Sequence, residues 1–124
     1  MRSTFSSVES FDFGEAIFKY YGHYGPNQQQ DIHLVWMKEG DAEVRVDSET
    51  RVMAEGYFHF IYVENCIEYV YPAHQTHRVA WCRTGSGTLP TSTVELLRAL
   101  QNSCVVSSRL QTLMDMGLDL EYTG

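Results

Sequence analysis

The chain has 124 residues, a length typical of one compact domain that buries roughly two thirds of the surface its unfolded chain exposes. Nine Lys and Arg residues against sixteen Asp and Glu residues give a net charge of −7. This charge argues against direct binding of nucleic acid, because that affinity depends on cations that neutralise phosphates, and against docking on an anionic membrane. No run reaches the roughly 18 apolar residues of a membrane-spanning helix, and the first residues lack the apolar segment of a signal peptide.

The cysteines predict neither disulfides nor a structural metal site. Cys66, Cys82 and Cys104 are odd in number and show no C-x-x-C spacing. A free cysteine behaves as a small apolar residue, so we expect three buried or inert thiols. The reducing compartment that this implies is the cytoplasm.

Short strands fill the first two thirds of the sequence. Tyr, Phe, Val and Ile alternate with polar residues there, and polar or glycine-containing turns recur every 8–12 residues or so, which is typical of a sandwich, barrel or jelly roll. Residues 22–27, GHYGPN, are predicted to form a turn. The strands are expected at residues 16–21, 32–38, 43–46, 51–54, 58–63, 67–71 and 78–82.

Two short helices are expected after the composition changes near residues 85–90. Ser92 and Glu95 have the spacing of a capping box, and Ser108 begins a second one. Gly117 is predicted to end the second helix. The chain is therefore divided into a β-barrel at residues 1–88 and a helical tail at residues 89–124.

The apolar stripe of the second helix admits two interpretations. It packs against the outside of the barrel, or it also supplies a subunit interface that makes the protein a homodimer. The interface residues would be Leu110, Leu113, Met114, Met116 and Leu118.

Three segments are similar to the N-terminal cupin domain of AraC-type transcription regulators. Residues 33–40, HLVWMKEG, resemble the E-l-v-y-v-l-s-G element of that family, and residues 51–61 resemble its y-x-l-x-x-G-d-l-l-l-i element. Residues 76–81, THRVAW, resemble its closing strand, and the tail at 89–120 resembles the helical segment after the barrel in these regulators. The resemblance implies a mainly β fold, a cupin double-stranded β-helix (jelly-roll barrel) with two short C-terminal helices after it.

The sequence departs from the cupin pattern at the metal ligands. Catalytic cupins hold a metal with H-x-H-x(3–4)-E-x(6)-G, but counting back from Gly40 puts His33 at the Glu position, with Asn27 and Gln29 as one register of the missing pair. In the second motif Ile67 occupies the His position. A divalent ion needs several converging N or O ligands, so we expect no metal, no cofactor and no catalytic residues.

The same resemblance turns one face of each of three strands into the barrel, and an apolar, aromatic interior with a few polar groups suits a small organic ligand. The ligand-binding residues would be His33, Val35, Met37, Tyr69, Tyr71, His77 and Trp81. Each of these side chains could equally be ordinary filling of the barrel.

The resemblance implies a ligand-sensing and dimerisation domain without enzymatic activity. A small-molecule effector in the barrel would alter how a separate helix-turn-helix domain engages DNA. Two alternatives remain open: a stand-alone small cupin enzyme of the metal-dependent isomerase or dioxygenase type, and a structural dimerisation module without a ligand. A nucleophilic Cys–His pair, with Cys66 or Cys82 beside His33 or His77, is also left open.

Overall fold

The computed structural model describes residues 12–123 except 86, 88 and 102. Nine strands and two helices are present in this part of the chain. They are β1 (Asp12–Phe18), β2 (Gly22–Gln28), β3 (Asp31–Glu39), β4 (Ala42–Val46), β5 (Glu49–Met53), β6 (Phe58–Val63), β7 (Cys66–Tyr71), β8 (His77–Gly85), α1 (Thr91–Leu100), β9 (Cys104–Val105) and α2 (Ser108–Thr123).

The strands form two antiparallel sheets that face each other. One has five strands in the order β1-β8-β3-β6-β9, and the other has four in the order β2-β7-β4-β5. In β3, the alternate residues Val35 and Met37 belong to the core between the sheets, whereas Leu34 and Trp36 pack on the opposite face. Because both faces of β3 are covered, its sequence reads as a nearly continuous apolar run.

The helix α2 covers the outer face of the five-stranded sheet. Met114 and Leu118 are buried there against Phe58 and Ala80, with Leu110 packed beside them. The helix α1, in contrast, has no buried residue and is attached by polar contacts. Among these, Arg98 donates from Nε and Nη2 to both carboxylate oxygens of Glu64 at 2.7 Å.

The strand predictions are confirmed for most elements, and β6 has the predicted bounds. The predicted turn at residues 22–27 is wrong, because this segment is β2 and pairs with β7 through a register shift between Tyr24 and Asn27. At this irregularity Gly25 has φ 87°, and a Cβ there would lie 2.5 Å from the carbonyl oxygen of Ile67. From the sequence alone, the glycines in this segment indicate a turn. In the structure, Gly25 lets the bulged strand approach its partner closely.

The first strand also lies earlier than predicted. Tyr20 and Tyr21 come after β1 instead of belonging to it, and both side chains are exposed. The strand β5 begins at Glu49, earlier than predicted, so the turn before it is shorter than expected. The carboxylate of Asp47 joins that turn to the turn between β6 and β7 by accepting the backbone N–H groups of Asn65 and Cys66 at 2.8 and 3.0 Å.

Both capping predictions are wrong by one or two residues. Pro90 precedes the first turn of α1, has no side-chain cap, and accepts the N–H groups of Thr93 and Val94 on its carbonyl oxygen. At α2 the hydroxyl of Ser107, one residue earlier than predicted, accepts the N–H of Leu110 at 3.2 Å. A serine or threonine pattern therefore located each helix but not its first residue.

Gly117 does not end α2, which continues to Thr123. A Cβ at this position would lie 2.1 Å from Cε1 of Phe13. The glycine instead lets the helix lie close to β1 at this point, a requirement that comes from tertiary packing and not from the helix end.

The residues assigned to a subunit interface divide between two environments. Met114 and Leu118 are 2% and 5% exposed within the single chain, and Leu110 is partly buried with them. Leu113 and Met116 lie on the outer side of α2 and are 59% and 56% exposed. A dimer formed by this helix stays a prediction, and in this geometry it would use the outer pair. No helix in the described part of the chain is long and apolar enough to cross a membrane.

Candidate functional site

A pocket of about 220 Å³ lies between the two sheets. The strands β1, β3 and β8 contribute one side, and β2 and β7 contribute the other. Apolar and aromatic side chains dominate its wall, with a few polar groups among them, which is the usual composition of a small-molecule site. The lining residues are Phe18, Tyr24, His33, Val35, Tyr69, Tyr71, Val79, Trp81 and Arg83.

Five of the seven predicted ligand residues line this pocket. They are His33, Val35, Tyr69, Tyr71 and Trp81. The structure does not bring the other two to it. Met37 and His77 are fully buried in the filled part of the interior, where Nε2 of His77 lies 2.6 Å from the carbonyl oxygen of Asp41.

The predicted ligand residues did not include Phe18, Tyr24, Val79 and Arg83, which also line the pocket. Tyr24 lies in the segment that was expected to be a turn, and Phe18 in a strand whose bounds were misplaced. Arg83 could have been found from the sequence. It follows Val79 and Trp81 in the alternation and shares their face, provided that the strand extends to position 83. The last strand does continue to Gly85, since β1 and β3 pair with it on both sides.

A chain of hydrogen bonds joins the polar groups of the pocket. Nη1 of Arg83 donates to the hydroxyl of Tyr24 at 3.4 Å, and that hydroxyl donates to Oε1 of Gln29 at 3.0 Å. Nε2 of Gln29 donates to Oδ2 of Asp31 at 2.5 Å. Each donor is matched to an acceptor along this chain, which fixes the orientation of the Gln29 amide.

His33 connects the same carboxylate to the buried wall. Its Nε2 lies 3.4 Å from Oδ2 of Asp31, and its Nδ1 lies 2.6 Å from the hydroxyl of Tyr69. Because a carboxylate only accepts, a neutral imidazole satisfies both contacts with its proton on Nε2 and with Tyr69 donating to Nδ1. Nδ1 is then the acceptor that holds the phenol in place.

Burial keeps these groups uncharged. It lowers the pKa of His33 below 6.5, against an opposing hydrogen bond and attraction from Asp31. Burial also raises the pKa of Tyr69 well above that of a free phenol, and it raises the pKa of Tyr71. Near neutral pH the base of the pocket is therefore a set of neutral hydrogen-bonding groups, not an ionised pair.

Aromatic rings form the rest of the wall. The rings of Phe18 and Tyr71 stack with centroids 4.6 Å apart, and Tyr69 stacks near Tyr71 at 6.5 Å. Trp81 packs against the main core from β8. A planar ligand entering here would meet aromatic side chains from β1, β7 and β8.

In the described part of the chain, no group of three or more His, Cys, Asp or Glu side chains could hold a metal ion. Of the positions counted from the cupin motifs, His33 lies in the pocket wall and Gln29 in the network behind it. Ile67 is fully buried in the core. Cys82 packs in the layer beneath α2, and burial raises the pKa of its thiol.

No protein-family model matches the sequence, and no curated protein matches it either. Solved structures of cupin proteins do match the fold. The Schizosaccharomyces pombe Cnp3 cupin domain has a TM-score of 0.53 and 17% identity, over 76% of this chain and 65% of its own. A cupin 2 domain-containing protein from Halorhodospira halophila has a TM-score of 0.52 and 13% identity, over 79% and 81%. Rru_A2000 from Rhodospirillum rubrum, a cupin-2 domain, has a TM-score of 0.51 and 16% identity, over 93% and 74%.

The protein therefore has a cupin fold, as the sequence predicted. At these identities the likeness concerns the fold alone. The chain spans 57% and 61% of the length of two ethanolamine utilization EutQ structures that it also matches, from Clostridium difficile and Salmonella typhimurium.

Proposed function

We propose that this chain is the ligand-sensing and dimerisation domain of an AraC-type transcription regulator of the cytoplasm. A small molecule binds without being chemically changed in the pocket between the sheets, and DNA is bound by a separate helix-turn-helix domain. The observation that supports this most directly is the pocket itself. It combines stacked rings with an ordered set of neutral hydrogen-bonding groups, of which His33 and Tyr69 are buried and contact each other.

The position of β8 supports a sensing role. Trp81 and Arg83 face the pocket, whereas Ala80 and Cys82 pack in the layer beneath α2. A ligand that displaces the inner face of β8 thus acts on one of the strands against which the helix packs. The helix in turn presents Leu113 and Met116 outward, where a second subunit would dock. Ligand binding and subunit arrangement would then be linked through one strand and one helix.

The two tryptophans allow a direct test. Trp81 lies in the pocket wall, whereas Trp36 is stacked on Phe58 beneath α2, with ring centroids 5.1 Å apart. Trp36→Phe leaves Trp81 as the fluorescent reporter, and Trp81→Phe leaves Trp36 as its matched control. The protein is titrated with a panel of sugars, aromatic acids and amines, and thermal unfolding is recorded in parallel.

We expect one class of compound to raise the unfolding temperature and to change the emission of the Trp81 protein more strongly than that of the Trp36 protein. Trp81→Ala should weaken that binding while the barrel still folds. A flat response to the whole panel would contradict the proposal and favour a structural dimerisation module. A stoichiometric transition metal in the purified protein would contradict it in favour of a metal-dependent cupin enzyme.

A further inference from the structure

We propose that the pocket selects a small carboxylate, bound with its anionic group on Arg83 and its apolar body between the aromatic rings. This inference rests on the proposed function, since it names the chemical class of the ligand that the pocket takes.

The charge of the pocket wall points to an anion. Arg83 is the one Lys, Arg, Asp or Glu among the nine lining residues, and His33 beside it is held neutral by burial. The acidic member of the network, Asp31, is outside the wall and already accepts hydrogen bonds from Gln29 and His33. A cationic ligand would therefore meet the guanidinium without an acidic partner in the wall, whereas a carboxylate meets it favourably.

The guanidinium of Arg83 is oriented by neighbouring groups and still has N–H groups that can donate to a ligand. Its side chain is 38% exposed, and Nη1 is oriented by the hydroxyl of Tyr24 at 3.4 Å. Nη2 lies 3.7 Å from Oδ2 of Asp12, a carboxylate that is itself 57% exposed. That separation is too long for a hydrogen bond, so a ligand carboxylate replaces a weak surface ion pair instead of breaking a buried one. A guanidinium presents its N–H groups as a fork that suits a carboxylate.

The size and the walls of the pocket limit the rest of the ligand. A dry cavity of about 150 Å³ is enough to bind benzene, and the volume here is about 220 Å³. One ring with a carboxylate therefore fits, or an aliphatic acid of similar bulk. Phe18, Tyr71 and Trp81 supply the apolar surface for that body, while Tyr24 adds a hydroxyl beside the guanidinium.

Three ligands of one shape and different charge test the proposal. The full chain is titrated with benzoate, benzamide and benzamidine, which are anionic, neutral and cationic at neutral pH. We expect benzoate to bind at least about tenfold more tightly than the other two, since a hydrogen bond to a charged group contributes that much or more. Added NaCl should weaken binding of benzoate and leave benzamide unaffected, because Arg83 is partly exposed to the solvent.

The variant Arg83→Gln should abolish the preference for benzoate. Its matched control is Arg78→Gln, which removes the same charge from the same strand at an exposed position outside the pocket. Arg78→Gln should keep the preference. Thermal unfolding without ligand shows whether both variants are folded.

Two results overturn the inference in different ways. If the three ligands bind alike, if benzamidine binds most tightly, or if both arginine variants behave alike, the carboxylate assignment is wrong and the ligand-binding pocket still stands. If neither these ligands nor any compound of the wider panel binds, the proposed function fails and the inference fails with it.

Discussion

Replacing Gly117 with alanine tests how α2 lies on the five-stranded sheet. The added Cβ would lie 2.1 Å from Cε1 and 2.4 Å from Cζ of Phe13. Overpacking of this kind costs about 1–3 kcal/mol. Alanine inside a helix is favoured over glycine by about 1 kcal/mol. The clash therefore balances or exceeds the gain, and we expect Gly117→Ala to lower the free energy of unfolding by up to about 2 kcal/mol.

A double-mutant cycle with Phe13→Ala separates the two effects. Without the ring, Gly117→Ala should raise the free energy of unfolding by about 1 kcal/mol, so its sign reverses. Urea denaturation of the four proteins measures the coupling, which we expect to be about 1–3 kcal/mol. If Gly117 ended the helix in a left-handed conformation, alanine would destabilise both backgrounds. An equal effect in both, of either sign, would refute the contact with Phe13.

Two further predictions concern His33 and the outer face of α2. Because burial lowers the pKa of His33 below 6.5, the unfolded chain binds the proton more readily, and stability should fall as the pH drops below about 6.5. His33→Gln should remove this part of the pH dependence seen in urea denaturation, and the exposed His74→Gln should keep it. Leu113→Asp should lower the oligomeric state in sizing experiments without loss of stability, because the side chain is exposed. Met114→Asp removes a buried methionine, so it should lower the free energy of unfolding by about 2 kcal/mol or more. An unchanged elution volume for Leu113→Asp would count against an interface at this face.

The sequence predicted strands best where alternation and burial coincide. In β4, Ala42, Val44 and Val46 are buried while Arg45 between them is exposed, and this pattern is visible without any structure. In β2 the same reasoning fails, because Gly25 and its neighbours lack the apolar alternation and the strand exists through its partner β7. Local composition does not show which strands pair when they are far apart in the sequence.

The same limit explains which parts of the site were found. His33, Tyr69 and Trp81 were predicted because alternation groups them on one face of their strands and the cupin resemblance turns that face inward. Arg83 was missed because the length of β8 depends on two neighbouring strands, not on its own residues. Gly117 was misread for a similar reason, since the ring that requires it belongs to Phe13, about a hundred residues earlier in the chain. When the role of a residue depends on a contact with a distant part of the chain, its neighbours in the sequence do not show that role and can suggest a different one.

The helix and the pocket share one structural support, which makes the Gly117 variant informative about sensing as well as stability. Phe13 pairs with Cys82 across β1 and β8, and the next residue, Gly14, pairs with Trp81 in the pocket wall. If ligand binding alters how α2 docks, then a change in the docking of α2 must alter ligand affinity by the same factor, because coupling between two sites is reciprocal. Under the proposed function we therefore expect Gly117→Ala to change the affinity for the ligand, although no atom of residue 117 lines the pocket. Titration calorimetry on this variant and on Leu113→Asp, which changes an exposed side chain of the same helix, measures that coupling. Equal affinities in both variants and the parent would mean that β8 holds the helix and the pocket without linking them.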